Sequence, residues 1–138
     1  MIPSLEVGAV LLDEPSELLY RQVNPSWIHA GRVSSQAFVP TSKDGGLLSV
    51  DRSSITSAKD SWQRFVNSGY SSQGVWGVTV AEVTAVGLHA RSDPNPDGQT
   101  NPAHAVVDFR DLGGKPTKKA AQALAANANY RGCLHPPG

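Results

Sequence analysis

The segment from Val75 to Leu88 is dense in valine and threonine. β-Branched residues at that density favour an extended, pleated backbone, so a sheet must lie at the centre of whatever this chain forms. Trp76, Val78 and Val80 fall on one face of such a strand, whereas Val83 and Ala85 continue on the other and Glu82 interrupts the first face. A bulge near Ala81 to Val83 repairs the slip, and a single bulged strand is expected here.

Two further stretches alternate cleanly. Leu18 to Val23 sets Leu19, Arg21 and Val23 on one side, and Asn24-Pro25 closes it. Ala103 to Phe109 sets Ala105, Val107 and Phe109 on one side and His104, Val106 and Asp108 on the other. Between Pro25 and Asp44 the signals mix: one helical turn over Ser26 to Ala30, a short strand from Ser34 to Val39, a turn at Lys43 to Gly46, and a return strand from Leu47 to Asp51. Thr56 to Asn67 reads as a helix, with Ser57 and Asp60 placed to satisfy its first N–H groups and Gly69 as its stop. Trp62 and Phe65 on its apolar face are expected in the core. Lys118 to Arg131 is an alanine-rich helix entered through Pro116 and stopped by Gly132, and its small side chains require close packing on the sheet. Ser92 to Pro102, crowded with Asp, Asn, Pro and Gly, is a loop.

These elements predict one α+β domain over residues 1–138: a mostly antiparallel sheet of about five strands with two packed helices. Residues 1–17, with the apolar run Val7 to Leu12, read as a loose arm, and 132–138 as a flexible tail. One cysteine, Cys133, cannot make an internal disulfide, so a hydrophobic core must stabilise the fold and a reducing, cytoplasmic setting is expected. The formal net charge of +0 supplies no field to draw nucleic acid, and no apolar run is long enough to span a bilayer. Nucleic acid and membrane are therefore not expected partners.

The stretch Tyr20 to Val50 concentrates polar groups in irregular chain, which is how a scaffold presents ligand-binding side chains. Arg21, Asn24, His29, Arg32 and Ser35 are the candidate binding residues. His104 shares a strand face with Asp108 and is a candidate proton carrier. No metal site is expected, because Cys133 and His135 stand alone at the chain's end, away from His29, His89 and His104. Nucleophile elbow, phosphate loop and dinucleotide fingerprint are all missing.

Tyr20-Arg21 on an early strand, Ser34-Ser35 after a glycine turn, and Leu48 to Val50 leading into a helix with Trp62 and Phe65 resemble the opening half of small ADP-ribosyltransferase-like domains. The resemblance implies NAD as cofactor, Arg21 as phosphate anchor, Ser35 or Ser49 as bracing serine, and Glu82 as the charge-stabilising catalytic acid. Alanine and valine at 81 and 80 replace the acidic neighbour usual beside that glutamate. Two functions are thus expected: first, a bacterial-type accessory binding module engaging a protein or small ligand through residues 24–36; second, an NAD- or nucleotide-dependent transferase or glycohydrolase.

Overall fold

The computed structural model describes residues 10–40, 45–94 and 100–136. Its centre is an antiparallel sheet in the order β5-β1-β4-β7-β6, built from β1 (Leu18–Gln22), β4 (Leu47–Arg52), β5 (Val75–Thr79), β6 (His89–Ser92) and β7 (His104–Asp108). A two-stranded ribbon pairs β2 (Ile28–His29) with β3 (Arg32–Val33). Three helices complete the α+β fold: α1 (Ala58–Asn67), α2 (Val80–Ala85) and α3 (Gly114–Arg131).

The sheet has two unlike faces, as its period-two pattern requires. Leu19, Leu48, Val50, Val78, Ala105 and Val107 point into the core, where α3 and the 3-10 turn Ser35–Phe38 cover them. Helix α3 approaches closely because it buries Ala120, Ala121, Leu124, Ala125 and Ala128 and has almost nothing bulky to keep it away. The expected short strand at Ser34 to Val39 is instead this turn, whose buried Ala37 and Phe38 plug the core. Consequently β4 finds its partners in β1 and β7 rather than in a local hairpin.

The expected bulged strand from Val75 to Leu88 divides instead into β5, then α2, then a turn over 86–88 that leads into β6. Thr79 is the reason. Its side chain accepts from the Glu82 N–H at 3.1 Å while the Glu82 carboxylate accepts from the Thr79 N–H at 2.8 Å. That reciprocal cap starts a helix that the valine content argues against. The phase slip seen at Glu82 is therefore a change of period from two to 3.6.

Both chain ends reinforce sheet edges. Leu12 N–H donates to Ala90 O and Ser92 N–H to Val10 O, so residues 10–12 lie along β6; Val7 to Ala9 fall outside the described residues. Leu134 and His135 bond to both backbone groups of Val75, so the chain from 133 to 135 lies along β5. Gly74 permits that approach, having a φ of 137° and a position where a Cβ would lie 2.8 Å from His135 O. The expected turn at Lys43-Asp44 and the tip of the 92–102 loop lie outside the described residues.

Candidate functional site

The sheet's second face is polar at its centre. Tyr20, Asp51 and His104 are register partners across β1, β4 and β7, with Gln22 and Ser49 next along their strands. Helix α1 stands over them and turns Ser61, Arg64, Phe65 and Ser68 inward, at the three- and four-residue spacing that gives a helix one face. Ser57 caps this helix as expected, its side chain accepting from Asp60 N–H at 3.1 Å. Helix and sheet flank an open cleft of about 330 Å³ that Tyr70, Thr100 and Asn101 also line.

Phe65 belongs to this cleft rather than to the core. Its ring stacks on Tyr70 with centroids 5.1 Å apart and planes at 29°. Trp62 is half-buried against the His135 ring at 5.4 Å and also lies outside the core. The reason is Ser61, the one fully buried residue of α1, which brings the helix onto a polar surface.

A chain of hydrogen bonds fixes the cleft floor. Ser72 Oγ donates to Gln22 Oε1 (2.8 Å), Gln22 Nε2 to Ser61 Oγ (2.9 Å), and Ser61 Oγ to Asp51 Oδ2 (2.7 Å). Asn101 Nδ2 approaches Asp51 Oδ1 at 3.5 Å. Every one of these contacts to Asp51 is a donation, so the carboxylate keeps lone pairs for a further donor. His104 Nδ1 lies 2.9 Å from Asp93 O and 3.2 Å from Asp93 Oδ2. Two acceptors at one nitrogen favour the tautomer with its proton on Nδ1, in which Nε2, across the ring, is the acceptor. Burial pushes the Tyr20 phenol up, so it remains a hydrogen-bond donor throughout the neutral range.

The sequence candidates divide between this cleft and other places. Arg21 and His104 line it, together with Ser49. Arg21 reaches its rim from the opposite side of β1, as the register partner of the core residue Trp76. Its Nε donates to Ala37 O at 2.7 Å, one Nη donates to Ser49 O at 3.1 Å, and its guanidinium lies 5.4 Å from the Trp27 ring. Those contacts tie the 35–38 turn to the sheet.

Asn24, His29, Arg32 and Ser35 are not among the cleft residues. Asn24 accepts from the N–H and hydroxyl of Ser26, capping the 3-10 turn Pro25–Trp27. His29 and Arg32 are exposed register partners on the ribbon, and Ser35 opens the second 3-10 turn. Trp27 and Ile28 pack against the core, so no exposed large apolar side chain stands on this loop system. Glu82 also lies elsewhere. It takes two donations from Arg131 at 3.0 and 3.1 Å, which joins α2 to α3. Burial works to raise this carboxyl, but the bonds from Arg131 and Thr79 outweigh it and leave it below the usual range. Arg21, Ser35 and Glu82 therefore do not converge.

Asp108, expected beside His104, is buried further along β7 between Arg110 (2.7 Å) and Arg91 (3.5 Å). The residues that sequence reasoning missed are Asp51, Gln22, Ser61 and Phe65. A signal for Asp51 was present, since Ser49 and Asp51 alternate with Leu48 and Val50.

Among the described residues, no group of three His, Cys, Asp or Glu side chains could hold a metal ion, and no helix is long and apolar enough to cross a membrane. Comparison with protein-family models, curated proteins and solved structures finds no match.

Proposed function

We propose that this protein is a non-catalytic binding module that holds a small polar ligand in the cleft over β1, β4 and β7. One observation carries the reading: polar side chains at adjacent register positions of three central strands, Tyr20, Asp51 and His104, face an open cavity instead of apolar packing. Polar groups in the middle of a sheet sacrifice apolar burial, and a concave site with a few convergent polar groups is the usual form of a small-molecule site. The volume of about 330 Å³ suits one or two rings, and the wall formed by Phe65 and Tyr70 suits a flat one. The single cysteine supports a cytoplasmic setting. The ligand reaches the cleft rather than the 24–36 loops, whose apolar residues are already packed.

A second reading, an NAD- or nucleotide-dependent transferase or glycohydrolase, draws on Arg21, Ser49 and His104 lining one cleft. With Glu82 held by Arg131, its acid would be Asp51. A thermal-shift panel of nucleotides, NAD, sugars and amino acids tests both, since a ligand bound only to the native state raises Tm by mass action. A compound that raises Tm for the wild type but not for Ser49→Trp, which fills the cleft, supports the binding module. Turnover of NAD abolished by Asp51→Asn supports the enzyme. Equal shifts in wild type and Ser49→Trp would move the site elsewhere.

A further inference from the structure

Resting on the cleft as the binding site, we infer that its ligand presents a vicinal diol on a saturated ring: a furanose or pyranose sugar, free or as the ribose of a nucleoside. Asp51 is surrounded by donors, Ser61 and Asn101, and so can only accept from a ligand. His104 places Nδ1 2.9 Å from Asp93 O and 3.2 Å from Asp93 Oδ2, and in the tautomer that donates to them Nε2 is the ring's acceptor. These acceptors are direct cross-strand partners on β4 and β7. Antiparallel partners have Cα atoms about 4.5–5.5 Å apart, so their side-chain tips lie within reach of donors on adjacent atoms of one molecule. Two hydroxyls on neighbouring ring carbons meet that requirement.

The rest of the cleft agrees with a neutral polyol. Phe65 and Tyr70, which both line the cleft, supply aromatic carbon for the C–H groups of a saturated ring. The Tyr20 hydroxyl, kept protonated by burial, is a donor for a ring or glycosidic oxygen. Charge weighs against the competing ligands. A carboxylate or phosphate placed between Asp51 and Nε2 would face a like charge and a lone pair. An ammonium would satisfy both acceptors, but Arg21 and Arg64 line the same cleft. A neutral diol meets neither conflict.

Ligand-observed NMR titration of the full chain tests this. The probes are adenosine with 2′-deoxyadenosine, and methyl mannopyranoside with its 2-deoxy analogue; methylamine and acetate are controls. Loss of one hydroxyl is expected to weaken binding on the order of 10-fold or more, since it leaves a charged acceptor unpaired. Asp51→Asn should remove that discrimination, whereas Arg32→Ala, outside the cleft, should keep it. Preference for the nucleoside pair assigns a ribose, and preference for the mannoside pair a free sugar. Equal binding of a diol and its deoxy analogue, or binding of methylamine alone, would overturn the diol and leave the cleft as a site. Ser49→Trp leaving the binding of every probe unchanged would instead remove the cleft reading itself.

Discussion

Replacing Asp108 by alanine is expected to be among the most damaging single changes available. Among the described residues, Arg91 is the bulkiest of the fully buried side chains, with 2% of its surface exposed, and its Nε and one Nη have no hydrogen-bond partner there. Its charge partner is Asp108, which lies 3.5 Å from the other Nη and is itself held by Arg110. Without Asp108 a buried guanidinium keeps its charge and loses its counter-ion, which costs about 3–5 kcal/mol. Unfolding entropy near 2.1 cal/mol/K per residue gives about 0.3 kcal/mol/K for this length, so Tm should fall by about 10–17 °C. Arg91→Met removes the charge but leaves Asp108 with Arg110, and should change stability by no more than about 1 kcal/mol. The double variant should regain most of what Asp108→Ala loses. Urea unfolding followed by tryptophan fluorescence measures all three, with buried Trp76 as reporter. A loss below about 1 kcal/mol for Asp108→Ala, or a larger loss for Arg91→Met, would refute the reasoning.

Three other outcomes follow from the same structure. Leu124, wholly buried on α3 among alanines, should cost about 2–5 kcal/mol as Leu124→Ala, measured by chemical denaturation. Thr79→Ala removes half of the reciprocal cap of α2 and should cost about 1 kcal/mol, accompanied by faster amide exchange over Val80–Ala85. Glu17 is subject to burial, which raises its carboxyl, and to the bonds from Arg52 and Ser54, which outweigh burial and hold it below the usual range; Glu82 behaves alike with Arg131. Because the folded-state values are depressed, their stabilisation is fully present above the ordinary glutamate value and is lost as pH falls through the depressed folded value. Glu17→Gln and Glu82→Gln should each flatten the acid side of a stability-against-pH curve, and an unchanged slope would contradict the assignment.

Much of the architecture was legible because one-sided burial imposes its period on the residues. Leu19 with Val23, and Ala105 with Val107, announce β1 and β7, and the Ser57 cap and Gly132 stop delimit α1 and α3. The α2 segment was not legible from composition, because its valines face the core in a helix as readily as in a strand; only the Thr79 to Glu82 spacing distinguishes the two. The cleft was harder still. Asp51 and His104 are far apart in sequence and meet only through the β4–β7 register, and the orienting partner of His104 proved to be Asp93 rather than Asp108. Part of the polar wealth of residues 20–36 serves local structure: Asn24 satisfies turn backbone, and Arg21 donates to the Ala37 and Ser49 carbonyls and lies against the Trp27 ring.

The central claim is that the polar face of the sheet binds the ligand, and an amide chemical-shift map of the isotope-labelled chain titrated with adenosine and methyl mannopyranoside tests it most directly. The account predicts that the largest shifts fall on Tyr20, Ser49, Asp51, Arg64, Phe65 and His104, with Asn24, His29 and Arg32 unmoved. Shifts concentrated on residues 24–36, with the cleft residues silent, would contradict it.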